Sequence, residues 1–299
     1  MKIINQKDTE FISISTSKGN QTKFKLDDVW YKKDLFGYEA AAEEAVSDLL
    51  KQSNLSAKDY VIYNMEKLTI IGYKRSDDTA VYCKSNNFLT PDDRIVTVAE
   101  ILDKAGYKNL NKTYKKLSLK EKIEFTVNLV EESTGLDEFG KYLTTLFELD
   151  AFVYNEDRHL NNIAVIESRN GDFRYCPIFD NGAAFMSDIK AYKLTEPVNY
   201  VRAWVEAKPF NKEFDNQARI ARALYGPQLK FSKNLQLSDS VKDKIRENYG
   251  EQILFRIEDT IEFSKRKYKD MISCVVFKEK ESPAIELENE LDIEDKRLL

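Results

Sequence analysis

The chain has few of the residues that many catalytic sites need: its 299 residues include one histidine and three cysteines. A zinc site made of several histidines and cysteines is excluded, because the cysteines (Cys83, Cys176 and Cys274) are far apart and His159 is the single histidine. A Ser-His-Asp or Cys-His nucleophile would have to use His159 as well. The first functional question is therefore which residues surround this histidine.

Long apolar runs are also missing. No stretch of eighteen apolar residues occurs, and the N-terminal residues lack the apolar core of a secretion signal, so no membrane span is expected. The odd number of dispersed cysteines is typical of reduced thiols, which predicts a cytoplasmic protein.

Excess charge of one sign is confined to one end of the chain. Lys and Arg number 46 and Asp and Glu number 51, for a net charge of −5. Residues 281–299 hold seven acids and two bases, so the remaining residues have 44 of each and are neutral. The absence of a basic block argues against direct binding to nucleic acid. We interpret residues 281–299 as an acidic, solvated C-terminal tail, with an edge strand or a docking segment as the alternative.

Hydrophobic periodicity divides the chain into a strand-rich part and a helix-rich part. Thr90-Pro91-Asp92-Asp93 is typical of a helix start, and Ser118 with Glu121 forms a capping-box pattern. The prediction is an α+β protein with an N-terminal β-rich lobe (1–86), a helical C-terminal lobe (87–280) and the tail (281–299). The predicted strands cover 11–15, 23–26, 29–31, 61–63, 68–73, 80–83, 163–166 and 173–179, and the predicted helices cover 39–52, 95–104, 123–132, 137–149, 217–225, 240–249 and 251–263.

One predicted hairpin carries most of the polar chemistry. Asn162 precedes its first strand, Asn170-Gly171 supplies a strong turn signal, and Asp180 follows its second strand. Antiparallel pairing brings the two outer ends together, so an amide and a carboxylate oxygen would face one space, as Mg²⁺ with nucleotide phosphates requires. Asp157 lies five residues before Asn162, which is the D-x-x-x-x-N spacing of a kinase catalytic loop.

The two residues after Asp157 have separate predicted roles. Arg158, or a lysine elsewhere in the pocket, could offset charge on a transferring phosphoryl group. His159 is interpreted as orienting the loop rather than acting as a base. Trp204 and Lys208-Pro209-Phe210 are interpreted as core packing, with a substrate groove as the alternative.

The chain resembles the HipA-like serine/threonine kinases, in particular their compact members. The resemblance rests on two motifs, Asn155-x-Asp157-x-His159-x-x-Asn162 and Ile178-Phe179-Asp180-Asn181-Gly182. The first motif is also similar to the Asp-Arg-His-x-x-Asn loop of phosphoinositide kinases. The resemblance implies a bilobal, protein-kinase-like fold that uses ATP and Mg²⁺, with Asp157 as the catalytic residue and with Asn162 and Asp180 as metal ligands.

The same resemblance extends to the N-terminal lobe. It implies that Lys32 contacts the α and β phosphates and that Glu43 holds it in an ion pair; Lys33 and Glu44 remain alternatives. It places a hinge at Val81–Lys84, where Tyr82 and Cys83 would hold adenine through backbone bonds. The stretch from Ser15 to Asn20 stands where a phosphate-binding loop belongs, and its candidate contacts are Ser15, Thr16, Ser17, Lys18 and Gly19.

The leading hypothesis is ATP- and Mg²⁺-dependent transfer of a phosphoryl group to a Ser or Thr hydroxyl of a protein. Two alternatives stay open: a catalytically silent nucleotide-binding module that acts by protein contact, and a small-molecule or lipid kinase of the same fold. HipA-like toxins usually have a DNA-binding antitoxin, so the resemblance also implies a separate regulatory partner of that type.

Overall fold

The computed structural model describes residues 2–16, 19–73, 76–107 and 113–277. The strands are β1 (Lys2–Asn5), β2 (Glu10–Thr16), β3 (Gly19–Leu26), β4 (Val29–Lys33), β5 (Asn64–Tyr73), β6 (Ser76–Asn86), β7 (Arg94–Thr97), β8 (Ala164–Glu167) and β9 (Phe173–Tyr175). The helices are α1 (Glu39–Lys51), α2 (Val98–Lys104), α3 (Leu119–Thr134), α4 (Phe139–Val153), α5 (Val198–Val201), α6 (Phe214–Tyr225), α7 (Asp239–Tyr249) and α8 (Glu251–Lys267).

Six strands form the N-terminal sheet in the order β1-β5-β6-β4-β3-β2. Because side chains alternate along a strand, one face of the sheet buries Phe24, Tyr31 and Tyr82 in a small aromatic cluster. Phe24 stacks on Tyr31 with 4.9 Å between ring centroids and meets Tyr82 edge-on at 5.6 Å. The opposite face of the sheet carries Lys32 and Cys83.

Helix α1 packs on the face of the sheet that carries Lys32. Its alanines at 40, 41, 42 and 45 are completely buried, so the small side chains let the helix backbone lie close to its neighbours. Helix α1 contacts β5 and β6 on the sheet and α7 in the helical part. This position fixes the side chains of α1 between the sheet and the rest of the molecule.

Helix α4 is the central helix of the C-terminal part. It packs against α3, α6 and α8, and thirteen of its fifteen residues are buried. Gly140 allows a close approach to α6, since a Cβ atom at this position would lie 2.4 Å from the ring of Tyr225. The C-terminal end of α4 leads directly into the segment that contains Asp157.

The second sheet, β7-β8-β9, holds the predicted hairpin. Strands β8 and β9 pair antiparallel, with Val165 opposite Tyr175, and Gly171 in their turn has φ +83°. This pairing confirms the hairpin prediction, and Gly171 provides the positive φ that the turn requires. The α+β fold with a curled N-terminal sheet and a helical C-terminal part is also confirmed.

Two sequence-based element predictions are wrong, and the strand expected at 173–179 is shorter, because β9 ends at Tyr175. The helix expected from Ile95 begins only at Val98, because residues 94–97 pair with β8 as strand β7. Thr97 caps α2 instead: its side chain accepts the Glu100 N–H, and the Glu100 carboxylate accepts the Thr97 N–H. The strand expected at 61–63 is replaced by an isolated bridge between Tyr60 and Ile178, and β5 begins at Asn64.

Among the described residues, no helix combines the length and the hydropathy needed to span a membrane.

Candidate active site

Lys32 on β4 joins the two parts of the molecule. Its Nζ lies 3.0 Å from Oδ1 of Asp180, which follows the β8–β9 hairpin, and 3.9 Å from Oε1 of Glu43 on α1. The Lys32 side chain is 17% exposed and that of Glu43 is 1% exposed. A charged pair at this depth needs both partners, because an unpaired buried charge is costly.

The neighbouring candidates, Lys33 and Glu44, have different partners. Lys33 points to the other face of the sheet, where its Nζ lies 2.6 Å from Asp78. Glu44 accepts the backbone N–H of Met65 at 2.6 Å and pairs with Lys244 at 2.5 Å. Of the two pairs left open by the sequence, the structure therefore brings Lys32 and Glu43, not Lys33 and Glu44, to Asp180.

Glu43 also fixes the backbone that carries Asp180. Its Oε2 accepts the N–H of Asn181 at 2.9 Å. Gly182 follows, and a Cβ atom there would lie 3.3 Å from the Cβ of Glu39, so glycine permits this close approach to α1. Helix α1 thus positions both the lysine and the segment 180–182.

The electrostatics of this cluster are dominated by burial and by Lys32. Burial alone would lower the pKa of Lys32, but the carboxylates of Asp180 and Glu43 outweigh burial and raise it. Burial would raise the pKa of Asp180, but Lys32 holds it below its usual range. Burial raises the pKa of Glu43 and that of Glu39 to about 7 in each case.

A second lysine, Lys23, faces the same space. It stands directly opposite Lys32 in the β3–β4 register, so both side chains lie on one face of the sheet. Burial and the proximity of Lys32 lower the pKa of Lys23. Lys23 is not among the site residues predicted from the sequence. Counting back from the Asp27-Asp28 turn would have found it, since Leu26 pairs with Val29 and the register follows from there.

The segment after α4 is held by its own hydrogen bonds. The Asn155 amide donates to Asp150 at 3.1 Å and accepts the N–H of Asp157 at 3.2 Å. The Asn162 Nδ2 donates to the carbonyl oxygen of Asp157 at 3.0 Å, and His159 N–H donates to the same oxygen at 2.8 Å. The loop is therefore preorganised, and the Oδ1 of Asn162 is the atom of that side chain that could coordinate a cation.

Arg158 has a different role from the one expected for it. Its side chain is 0% exposed and forms an ion pair with Asp150 at 3.1 Å. It also donates to the carbonyl oxygens of Asn162 (3.1 Å) and Phe179 (2.7 Å) and to Oδ1 of Asn181 (2.6 Å). Because the whole guanidinium is enclosed and bonded, it cannot contact a phosphoryl group. It instead ties together the two chain segments that carry Asn162 and Asp180.

The cation beside Asp157 is Lys208, which is 51 residues further along the chain. Its Nζ lies 2.8 Å from Oδ1 of Asp157, and His159 Nε2 lies 3.9 Å from Oδ2. Core packing, which was expected for Trp204 and Lys208-Pro209-Phe210, holds for Phe210 but not for Trp204 (67% exposed) or Lys208 (48% exposed). No local pattern could have identified Lys208, since only tertiary folding brings it to Asp157.

The hinge expectation differs from the structure. Cys83 lies in the middle of β6, opposite Lys32 on one side and Met65 on the other, and Tyr82 is paired in the same way. Because both strand ladders use the backbone groups of this central strand, Tyr82 and Cys83 cannot bind adenine through them. The connection to the helical part follows β6, where the Asn87 side chain accepts from Trp30 Nε1 at 3.3 Å and donates to Leu89 at 2.8 Å.

The expected phosphate-binding loop coincides with the β2–β3 hairpin. Ser15 and Thr16 end β2, Gly19 begins β3, and Thr16 is paired with Gly19. Ser17 and Lys18 lie outside the described residues, as does the acidic tail at 281–299.

Within the described ranges, no group of three or more His, Cys, Asp or Glu side chains is placed to bind a metal ion. A metal held by Asn162 and Asp180 would therefore depend on oxygen ligands from elsewhere, such as phosphate and water.

The fold is similar to that of a solved kinase. The crystal structure of the Helicobacter pylori proinflammatory kinase CtkA matches with a TM-score of 0.54 over 90% of this chain and 96% of that chain. The two sequences are 12% identical, so the likeness shows a kinase-like fold. Comparisons with protein-family models and with curated proteins gave no match.

Proposed function

We propose that the protein is an ATP- and Mg²⁺-dependent phosphotransferase, akin to the HipA-like kinases, that acts on a Ser or Thr hydroxyl of a protein. The observation that carries this proposal is the 3.0 Å contact between Lys32 and Asp180, 148 residues apart, in a kinase-like fold. A strand lysine, a helix glutamate and a carboxylate that meet in this way are the parts that phosphoryl transfer requires.

The nucleotide phosphates would lie against Lys32 and Lys23, which face one side of the sheet. Asp180 and the Oδ1 of Asn162 are hard oxygen donors, and two such ligands suit Mg²⁺, which keeps water and phosphate oxygens in its remaining positions. When bound, Mg²⁺ would neutralise phosphate charge. Lys32 is the counter-ion of Asp180 in the structure described here, so nucleotide binding would divert Lys32 toward the phosphates.

Asp157 would orient the acceptor hydroxyl and receive its proton. In this step the hydroxyl oxygen forms a bond to the γ-phosphorus, the bond from that phosphorus to the bridging oxygen breaks, and ADP leaves. Asp157 is 17% exposed, so it is open enough to meet a substrate and sheltered enough to hold it in one place.

The test is phosphoryl transfer from γ-labelled ATP by the wild type, Asp157→Asn and Asp180→Asn, with Asp172→Asn in the exposed hairpin turn as a matched control. We expect the site variants to lose about 100-fold or more in rate and the control to retain wild-type activity. Protein, small-molecule and lipid acceptors are compared in the same assay. A wild type that transfers nothing to itself, to these acceptors or to a cell lysate would overturn the proposal.

The ion pair between Asp157 and Lys208 favours one alternative, a nucleotide-binding module without transferase activity. A carboxylate oxygen that already contacts a lysine at 2.8 Å is occupied at the position where an acceptor hydroxyl would bind. Calorimetry with ATP, with and without Mg²⁺, separates the two functions, because binding without turnover supports this second candidate.

A further inference from the structure

A cation lies directly beside the carboxylate assigned to proton transfer. Lys208 Nζ is 2.8 Å from Asp157 Oδ1, and the lysine side chain remains 48% exposed. An exposed ion pair of this kind contributes little to folding stability. Folding therefore does not depend on this contact, and the Lys208 ammonium can exchange the Asp157 carboxylate for another anion.

Two other cations of the site, Arg158 and Lys32, contact carboxylates of their own, and Lys23 lies beside Lys32 on the sheet. Arg158 follows Asp157 in sequence, but its guanidinium is enclosed and bonded to Asp150. Lys32 is paired with Asp180. A phosphoryl group that approaches a hydroxyl held by Asp157 would thus meet the ammonium of Lys208 within a few ångströms.

The backbone around Lys208 is fixed by a buried side chain of α6. Gln217 is 1% exposed, and its Nε2 donates to the carbonyl oxygen of Lys208 at 2.8 Å. Its Oε1 accepts the N–H groups of Phe210 at 3.0 Å and Asn211 at 3.3 Å. One amide therefore satisfies three backbone groups of the turn that carries the lysine.

The same turn is anchored on the core by an aromatic contact. The Phe210 ring meets Tyr114 and Phe147 edge-on, with centroids 5.6 Å and 5.8 Å away. The Phe210 ring packed on Phe147 of α4 and the buried Gln217 amide of α6 hold the backbone of Lys208 while leaving its flexible side chain exposed, which is an arrangement suited to a preorganised charge.

We propose that Lys208 is a catalytic cation that binds the transferring phosphoryl group beside Asp157, and that Gln217 is its positioning residue. This inference rests on the proposed function. As the acceptor oxygen bonds to phosphorus and ADP departs, the hydroxyl proton passes to Asp157. Lys208 takes no part in the proton transfer and offsets the charge on the phosphoryl oxygens, so no further reactant is needed.

The experiment measures kcat and the KM for ATP in Lys208→Met, Lys208→Arg and Lys212→Met. Lys212 is the matched control, because it is 77% exposed and pairs with Glu206 at 2.7 Å in the same loop. We expect Lys208→Met to lower kcat by about 100-fold with KM within about threefold, since the charge acts in the transition state. Lys208→Arg should restore part of kcat, and Lys212→Met should behave as the wild type.

A double-mutant cycle tests the role of Gln217. Gln217→Leu should lower kcat alone but add little in the Lys208→Met background, because its effect passes through the lysine. A purely structural role would lower kcat equally in both backgrounds. Thermal unfolding and ATP binding of each variant show that it is folded.

The outcomes separate the two proposals. If the wild type transfers phosphate and Lys208→Met keeps kcat within about threefold or raises it, the inference about Lys208 is wrong and the proposed function stands. If the wild type transfers none, the proposed function itself fails.

Discussion

Arg158 and Lys208 both lie near Asp157, and their surroundings differ completely. Arg158 is its neighbour in sequence, is 0% exposed and is bonded to Asp150, Asn181 and two carbonyl oxygens. Lys208 is distant in sequence, half-exposed, and contacts the Asp157 carboxylate itself. Burial with every donor satisfied points to a structural role, while exposure beside a reactive oxygen points to chemistry. Proximity in sequence alone favours Arg158, whose guanidinium is enclosed and paired with Asp150.

The largest expected effect concerns the stability of the buried pair. Arg158→Met leaves the Asp150 carboxylate, which is 1% exposed, without its counter-ion. Breaking a buried pair in this way costs about 3–5 kcal/mol of unfolding free energy, which urea denaturation followed by circular dichroism would measure. The matched control is Arg169→Met, because Arg169 is 79% exposed and only 3.6 Å from Asp92. A loss below about 1 kcal/mol in Arg158→Met would remove the contrast between the two cations.

The next effect concerns nucleotide binding by the two adjacent lysines of β4. Lys32→Met should weaken binding of Mg²⁺-ATP by about 10- to 100-fold, because a charge contact to phosphate is worth about 1.5–3 kcal/mol. Lys33→Met should leave binding near the wild-type value, since Lys33 pairs with Asp78 on the other face of the sheet. Calorimetric titration measures both, and equal losses in the two variants would contradict the assignment of Lys32.

Local signals explain which parts of the site could be predicted. The hairpin follows from Asn170-Gly171 between two apolar runs, and its ends follow from antiparallel pairing, so Asn162 and Asp180 could be placed near each other from the sequence. The spacing of Asp157 from Asn162 is a local property as well. These signals depend on residues close in sequence. The structure has the hairpin at the predicted place, and Arg158 bonds to the carbonyl oxygens of both Asn162 and Phe179 at its outer ends.

Other parts depend on packing that no short pattern encodes. The pattern at Pro91 resembles a helix start, but pairing with β8 makes residues 94–97 a strand. Tyr82 and Cys83 fall in a strand because a neighbour pairs on each side. The burial of Arg158 depends on Asp150 in α4, on the carbonyl oxygen of Phe179 and on Asn181.

A further prediction concerns the lysine end of the site, where burial raises the pKa of Glu43 from the ordinary 4.5 to about 7. The folded protein then holds a proton that the unfolded chain releases, so the contribution of Glu43 to unfolding free energy is complete below about pH 4.5 and is lost as the pH rises to about 7. The slope is at most about 1.4 kcal/mol per pH unit.

Glu43→Gln keeps an acceptor for the Asn181 N–H but removes this titration. The difference in unfolding free energy, variant minus wild type, should therefore rise between about pH 4.5 and 7 and become level above it. Glu39→Gln should repeat the trend, because burial also raises the pKa of Glu39 to about 7. A difference in unfolding free energy that does not change with pH for Glu43→Gln would mean that Lys32 keeps the Glu43 carboxylate charged from pH 4.5 to 7. The Lys32–Glu43 pair would then resemble the fully paired Arg158 more than the half-exposed Lys208.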